Sequence, residues 1–523
     1  MRGWIRCIYN LLLLVLSFSF SQLVFASNTV TDTSVKLHAV TVEPRISYEQ
    51  YHMPNSTQPL GVVGLHGLVD FNNWFYGGLG FYGAVRGQSG GYFALALEGG
   101  LQHRLWRQVL IDGGARVGGG GGSNSPVGGG LYYEPYLGLK YDFNYFRTGL
   151  YYSYIHFVYG QITSQQLGLE LTVPFTFNYA TATYIDPSMR FVDLNTSLWK
   201  YIGSSRNSIA AMIGAYFPND GVIERSGQVM DSRFDFLGIE ATHYFLEKGF
   251  LFFKIRGAFH GHQNGYADAM LGLGYRFPLI REKLDALIKM SAGSGGGGAV
   301  DTGGGFIYEP ALGIEYHVGP KLGVELNAGY VNAPQGTFKA KEMSLLFKYY
   351  LSNANLASSS SQTSNMQISD HGYFQAWRIR LLNQTYLTPR SNSGTDNPTM
   401  QLLNVNLDYF IQKYFYLTGQ TAFAYKGKQT GGYFTGMLGI GGETPTILHK
   451  PITLFTEILV GTGGGAGLDI GDGAMVNPLV GINYQVNDAF GSQVSIGRLI
   501  ALQGQFQSTN FNLGLTYKLW NIT

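Results

Sequence analysis

The sequence predicts an all-β protein built from long strands. Gly accounts for 73 of the 523 residues, and Tyr and Phe add 36 and 34 more, whereas only 13% of the residues are charged. Soluble domains carry roughly 7% Gly and about 25% charge, and each interior Gly costs a helix roughly 1 kcal/mol relative to Ala. Because 45% of the residues are hydrophobic and the net charge is only +2, the composition also excludes a disordered chain.

Residues 1–26 have the pattern of an export signal peptide. Arg2 and Arg6 precede an apolar core at 11–16, and the segment ends in Val24-Phe25-Ala26, a suitable site for signal peptidase. The single Cys of the chain, Cys7, lies in this segment, so the mature protein is predicted to have no disulfide or thiolate metal site. No run of 18 apolar residues follows, so no transmembrane helix is predicted. With 35 basic and 33 acidic residues, nothing indicates a nucleic-acid partner.

An alternating pattern of apolar and polar residues runs along many segments. Between Phe511 and Leu519, every second residue is apolar, and the intervening positions hold Asn, Gly, Thr and Lys. The same alternation runs from Leu131 to Phe143. A period of two over about ten residues indicates strands with two different faces.

These strands resemble those of Gram-negative outer-membrane β-barrel proteins. They are long, their apolar face is rich in Tyr and Phe, and the chain ends in an alternating strand with Leu519-Trp520. The resemblance implies antiparallel transmembrane barrels with an apolar lipid face and a polar or small inner face. It also implies an outer-membrane location, contact with membrane lipid and lipopolysaccharide, and insertion by the barrel-assembly machinery. An exported soluble β protein is the alternative.

One block of sequence recurs three times. Glycine clusters at 118–122, 295–298 and 463–465 each precede a similar tripeptide: Tyr133-Glu134-Pro135, Tyr308-Glu309-Pro310 and Val476-Asn477-Pro478. A Gly-Tyr pair recurs at corresponding positions, beginning at Gly91, Gly265 and Gly432. Two landmarks with similar offsets predict a triplicated unit.

Each unit holds about eight predicted strands, about 24 in all. We predict barrel units at 27–180, 188–352 and 373–523, with a Ser-rich linker at 353–372. Three tandem eight-strand barrels are favoured, because the linker separates units that are each large enough to close. One barrel of 24 strands is the alternative. Short and long connections alternate, which predicts periplasmic chain ends and outward-facing glycine loops.

Six polar positions of the repeat are predicted to face the barrel interior. Within a narrow barrel their charges would pair across strands, whereas in one wide ring they would line a channel and set its selectivity. The six positions are Glu134, Lys140, Glu309, Glu315, Asn477 and Asn483.

No catalytic, cofactor or metal site is predicted. The glycine clusters lack the Gly-Lys-Ser/Thr of a phosphate loop, and the segment 464–469 matches a calcium-binding repeat only once. His260 and His262 lack further ligands, and Ser153 with His156 forms no recognisable catalytic set. The chain is therefore predicted not to be an enzyme.

The predicted function is a structural or surface-interaction role carried by extracellular loops. The segment 204–232 is predicted to be the longest outer excursion, with its apolar part at 209–217 folding over the rim or binding a partner. The alternatives are a diffusion or export pore formed by a single large barrel, and an outer-membrane enzyme.

Overall fold

The computed structural model describes residues 36–54, 56–123, 125–181, 199–201, 207–230, 232–281, 283–319, 321–351, 354–356, 374–389, 399–447 and 451–522. The predicted export signal and most of the predicted linker lie outside these residues. Within the described ranges, no helix is long and apolar enough to cross a membrane.

Twenty-five antiparallel strands form three closed eight-strand barrels. The prediction of three tandem small barrels is thereby confirmed, and the single ring of 24 strands is not the fold. In barrel one, strand position eight is divided into β8 and β9 at Val173-Pro174, where Pro lacks the N–H that a ladder needs. Barrel one contains β1 (Lys36–Tyr51), β2 (Leu60–Asp70), β3 (Phe75–Arg86), β4 (Phe93–Arg104), β5 (Val109–Gly121), β6 (Leu131–Asp142), β7 (Arg147–Phe157), β8 (Thr163–Thr172) and β9 (Phe175–Thr181).

The other two barrels close in the same order. In each, the first strand pairs with both the second and the eighth. Between the barrels, β10 (Trp199–Tyr201) pairs with β19 (Ala354–Leu356). Barrel two contains β11 (Ser208–Pro218), β12 (Phe234–Tyr244), β13 (Gly249–His260), β14 (Ala267–Ile280), β15 (Leu284–Gly296), β16 (Phe306–His317), β17 (Leu322–Asn332) and β18 (Lys339–Tyr350). Barrel three contains β20 (Phe374–Leu387), β21 (Met400–Gln412), β22 (Phe415–Lys426), β23 (Phe434–Glu443), β24 (Ile452–Gly464), β25 (Ala474–Gln485), β26 (Phe490–Ala501) and β27 (Gln507–Ile522).

The predicted outer excursion at 204–232 is wrong in its first part. Ser208–Pro218 is β11, the first strand of barrel two, and it pairs with β12 on one side and β18 on the other. Its small residues, among them Ala210 and Gly214, obscured the alternation that a strand of larger side chains would show. The excursion is confined to the connection between β11 and β12.

Side chains alternate between a buried interior and an apolar exterior along the strands. Leu137, Leu167 and Ile440 are outward-facing and 59%, 64% and 64% exposed, respectively. The inward face combines polar groups and aromatic rings with glycines. The ring of Tyr151, for example, occupies the space that a side chain at Gly168 would need, so Gly here accommodates an aromatic residue of the neighbouring strand.

The three barrels pack in a closed cycle. The fifth strand of each barrel lies against the third strand of the next: β15 against β3, β5 against β22, and β24 against β13. Such head-to-tail contacts close into a ring when the rotation between units permits it. The chain therefore forms a pseudo-threefold trimer from a single polypeptide.

Glycine backbones meet at all three interfaces, at the end of the barrels that carries the longer loops (the long-loop end). Side chains at Gly91 and Gly432 would overlap the backbones of Gly297 and Gly122, and a Cβ at Gly265 would lie 3.2 Å from the backbone nitrogen of Gly465. Gly91, Gly265 and Gly432 have positive φ angles of 89°, 78° and 92°, which Gly adopts without strain. The glycine clusters thus permit close approach between barrels.

Apolar side chains extend the contact below the glycines. Phe93 and Leu95 on β4 are only 2% and 4% exposed, although they point out of their own barrel. Phe93 packs against Phe434 of barrel three, with ring centroids 6.1 Å apart, and Phe81 meets Phe423 at 5.9 Å. At the opposite, short-turn end, tyrosine hydroxyls bond across barrels, Tyr409 to Tyr349 at 2.6 Å and Tyr179 to Tyr517 at 2.8 Å. The interfaces therefore contain both apolar and hydrogen-bonded contacts.

At two of the interfaces, a glycine of one barrel lies opposite a hydroxyl side chain of the next. A Cβ at Gly83 would come within 2.6 Å of the Ser294 side chain, and one at Gly257 would overlap the Thr462 hydroxyl. The Ser294 hydroxyl also donates a 2.6 Å hydrogen bond to the carbonyl oxygen of Ala84. At the third interface, a Cβ at Gly119 would instead overlap the backbone of barrel three.

We expect Gly83→Ala to destabilise the contact between barrels one and two by about 1–3 kcal/mol, as overpacking does. Adding Ser294→Gly should recover part of the loss, because the obstructing atoms belong to a side chain. The measurement is the urea-unfolding midpoint of the refolded protein in detergent. Gly119→Ala is the matched control: its new methyl group would meet backbone atoms, so no removal of a side chain should restore the midpoint. Equal midpoints for Gly83→Ala and the parent protein would contradict this account of the interface.

Candidate functional site: barrel interiors and loop surface

An apolar cap closes each barrel at its long-loop end. Loop residues fold inward to complete these caps and pack on inward-facing strand residues such as Tyr132. The caps thus separate the barrel interior from the space beyond the loops. The inserted loop residues are Val127 and Ile162 in barrel one; Val222, Met230, Val300 and Phe338 in barrel two; and Leu468, Ile470 and Phe506 in barrel three.

Barrel one contains a dense network of ion pairs. Arg116 lies 3.0 Å from Glu49 and 3.2 Å from Glu134, and the three side chains are at most 1% exposed. The guanidinium also lies over the ring of Tyr136, 4.8 Å from its centroid. Arg45 contacts Glu98 at 2.9 Å. Salt bridges and tyrosine rings therefore fill the width of this barrel.

Barrel two has a similar network made from different residues. Arg256 bonds to Asp268 at 2.8 Å and to Glu309 at 2.7 Å. Lys289 joins Glu240 and Glu325 at 2.8 and 2.7 Å. Because none of these side chains is more than 3% exposed, the cations and carboxylates compensate one another rather than face water.

Barrel three has fewer charges and more amides. Arg380 lies 2.7 Å from both Asp408 and Glu457, and Arg378 bridges Asp408 and Glu443 at the same distance. Much of the remaining interior is neutral. Its buried Asn and Gln side chains are Gln384, Asn404, Asn406, Gln420, Asn477, Asn483, Gln493, Asn510 and Asn512.

The six predicted inward positions are all buried, but they do not form one site. Each lies within its own barrel and has different partners from its counterparts. Glu134 pairs with Arg116 at 3.2 Å; Lys140 with Asp112 at 2.7 Å and Glu170 at 3.2 Å; Glu309 with Arg256 at 2.7 Å and Lys254 at 2.5 Å; Glu315 with Lys348 at 3.1 Å; Asn477 accepts from Asn510 at 2.9 Å; and Asn483, 9% exposed, has no side-chain hydrogen bond.

The sequence reasoning missed the central cations Arg116 and Arg256. Arg116 stands in a glycine-rich strand at the same parity as Gly114 and Gly118. The alternation along the strand could have shown that the Arg116 side chain points into the barrel, where it must pair with carboxylates on other strands. The alternation does not identify which carboxylates these are.

Barrel one also holds a Ser–His–Glu chain. The Ser47 hydroxyl lies 2.8 Å from His66 Nε2, and His66 Nδ1 lies 2.6 Å from Glu98 Oε2. This order of groups occurs in hydrolases, but His66 and Glu98 have no exposed side-chain surface and Ser47 is 1% exposed. A buried serine hydroxyl of this kind cannot reach a substrate, so we treat these three side chains as part of the interior network.

The other residues considered as candidates do not converge. His260 pairs with Asp235 at 3.0 Å, whereas His262 pairs with Asp472 of barrel three at 3.1 Å. Ser153 faces inward and bonds to Glu49 at 3.1 Å, while His156 faces outward. Among the described residues, no group of three or more His, Cys, Asp or Glu side chains could hold a metal ion.

Loops of different barrels interlock above the caps. In the connection between β11 and β12, Arg225 of barrel two donates hydrogen bonds to the carbonyl oxygen of Gly90, at 2.6 Å, and to the Ser123 hydroxyl, both in barrel one. Gly90 N–H bonds to Gly303 at 2.9 Å. Burial lowers the pKa of Arg225, and the carboxylate of Asp301 partly opposes this. The loops of barrels one and two therefore form a continuous surface.

Comparisons with known proteins give only weak likenesses. No family model and no curated protein sequence matches the chain. Among solved structures, KdgM porin is 10% identical with a TM-score of 0.15, covering 59% of this chain and 98% of its own. Pseudomonas aeruginosa OccK11 (OpdR) is 10% identical with a TM-score of 0.21, covering 93% and 96%. The siderophore receptor PirA from Acinetobacter baumannii is 10% identical with a TM-score of 0.27, covering 94% and 81%.

The predicted resemblance to outer-membrane β-barrel proteins is confirmed at the level of fold. This rests on the closed antiparallel barrels with an apolar outer and a polar inner face. The scores of the solved structures are too low to support an argument about activity.

We expect Arg116→Met to lower the free energy of unfolding by about 3–5 kcal/mol, because it leaves Glu49 and Glu134 buried without their cation. Arg104→Ala is the control: Arg104 also pairs with a carboxylate, at 2.8 Å, but its side chain is 48% exposed, so the loss should be below about 1 kcal/mol. Urea unfolding in detergent measures both. Equal losses would contradict a stabilising role for the buried network.

Proposed function

We propose that the chain is an integral outer-membrane protein that conducts no ions and presents a continuous loop surface to an anionic partner. The sealed interiors carry this proposal. Across barrel one, Arg116, Glu49 and Glu134 are at most 1% exposed, and the apolar cap lies beyond them. A water-filled channel would leave such charges hydrated.

The apolar exterior supports a membrane location. Outward-facing leucines remain 59–64% exposed at Leu137, Leu167, Leu169 and Leu312. Contiguous apolar surface on this scale is rare on soluble monomers, and closed barrels leave no unpaired backbone edge in lipid. By the length of its connections, the long-loop end faces outward.

The loop surface carries cations at equivalent positions. Arg86 and Lys426, the last residues of β3 and β22, and Lys428 in the β22–β23 loop are exposed and form no ion pair among the described residues. The corresponding His260 and His262 of barrel two face Asp235 and Asp472. Loops on a rigid scaffold commonly carry binding function, and the phosphate groups of lipopolysaccharide match this unbalanced positive charge.

We expect the refolded protein to give no stable ion-conducting steps in planar bilayers. The physical reason is that capped, ion-paired eight-strand interiors leave no continuous water path. Resistance of the unheated protein to unfolding in SDS serves as the control for correct insertion. Reproducible open steps from protein that passes this control would overturn the non-conducting assignment.

We expect the triple substitution Arg86→Gln, Lys426→Gln and Lys428→Gln to weaken lipopolysaccharide binding at least about fivefold at low salt, because exposed charges attract phosphate through a screened field. Binding is measured by surface plasmon resonance in detergent. The matched control removes three exposed cations near the short-turn end, by Arg107→Gln, Lys248→Gln and Lys321→Gln. Similar affinities for the two triple variants would rule out a binding role for the loop cations.

A further inference from the structure

The interior of barrel three differs in chemistry from the other two. Asn477 occupies the repeat position held by Glu134 and Glu309, and Leu459 stands where barrel one has Arg116. Of the inward charges that remain, Arg378 and Arg380 are paired with carboxylates, and Lys518 lies over the rings of Phe410 and Trp520. An additional guest in this barrel would therefore meet mainly amide groups.

Several of these amides have buried atoms without a hydrogen-bond partner. They include five amide carbonyl oxygens, which can only accept hydrogen bonds. Among the described residues of the other barrels, the neutral side chains with such an atom are Asn327 and Asn332 in barrel two and Gln102, Ser125, Tyr151, Gln166 and Thr172 in barrel one, so each of these barrels has fewer unpartnered amides. The unpartnered amide atoms in barrel three are Asn404 Oδ1, Asn406 Oδ1, Gln420 Oε1, Asn477 Nδ2, Asn483 Oδ1, Asn483 Nδ2 and Asn512 Oδ1.

These side chains and that of Thr435 are almost completely enclosed. Asn404, Asn406 and Asn512 are only 1%, 2% and 2% exposed, and Thr435 and Asn477 are 0% exposed. Buried polar groups in folded proteins are normally satisfied by protein or by ordered water. Because most of the unpartnered atoms are acceptors, the matching occupant donates hydrogen bonds. Because an eight-strand barrel is narrow, it is small.

The loops above this interior close it with apolar side chains. Leu468 and Ile470 lie on the connection between β24 and β25, next to Gly467 and Gly471 with φ angles of 65° and 68°. Phe506 reaches in from the connection between β26 and β27 and is 1% exposed. Three apolar side chains on two loops therefore close the barrel.

We propose that barrel three encloses a binding chamber for small uncharged hydrogen-bond donors, such as water and urea, and that Leu468, Ile470 and Phe506 form its lid. Barrels one and two lack this chamber, because their ion pairs occupy positions that neutral side chains hold in barrel three. The chamber is compatible with the proposed absence of ion conductance, because the amides that line it carry no charge.

The first test opens the lid and measures access to the chamber. In a chain without Cys7 that carries Thr435→Cys, adding Leu468→Ser with Phe506→Ser should speed modification of the thiol by methyl methanethiosulfonate at least about threefold, as followed by mass spectrometry. The matched control adds Val127→Ser with Ile162→Ser, which opens the equivalent cap of barrel one and should leave the rate unchanged. A folded barrel-three variant without a faster rate, or an equal increase in both variants, would overturn the proposal.

A second test leaves the lid intact and does not depend on that variant folding. In a chain without Cys7, Thr435→Cys places a thiol in the chamber and Ser291→Cys places one in barrel two, at positions that are 0% and 2% exposed. Methyl methanethiosulfonate, a small uncharged reagent, should modify the Thr435→Cys protein at least about tenfold faster, as followed by mass spectrometry. Equal rates would show that barrel three has no chamber of its own.

Discussion

The interior of an eight-strand barrel is only wide enough for its own side chains, so every inward-facing group must find its partners there. Barrel one meets this requirement by surrounding Arg116 with Glu49, Glu98 and Glu134. Inward glycines such as Gly168 make room for the aromatic rings of neighbouring strands. Closure in units of eight strands therefore determines which residues are large, which are charged and which are Gly.

The same closure determines how the units associate. A closed barrel offers no unpaired strand edge. Neighbouring barrels must therefore pack through side chains and through glycine positions, where the backbone itself can make contact. Positive-φ glycines such as Gly91 and Gly432 provide those places at the long-loop end. Because the fifth strand of each barrel meets the third strand of the next, three units complete the ring and no interface of this type remains unused.

Most of the fold could be predicted, because the alternation of apolar and polar residues and the repeated glycine clusters can be read directly from the sequence. The glycine landmarks identified three units, and the strands near Leu131 and Phe511 were evident from their period. The strand Ser208–Pro218 was missed, because Ala210 and Gly214 carry too little side chain to mark two faces. The interfaces were missed for a different reason: periodicity shows which way Phe93 points, but not that barrel three lies opposite.

The candidate site was less predictable, because the role of an inward-facing charge depends on its partners on distant strands. The sequence repeat placed Glu134, Glu309 and Asn477 at equivalent positions, yet their surroundings differ in each barrel. What the three units share is the glycine contact, the apolar cap and the loop architecture; what differs is the chemistry within. A function common to the units therefore belongs to the assembled loop surface. A function carried by the interior must belong to one barrel, and barrel three is the one in which amides have replaced some of the ion pairs.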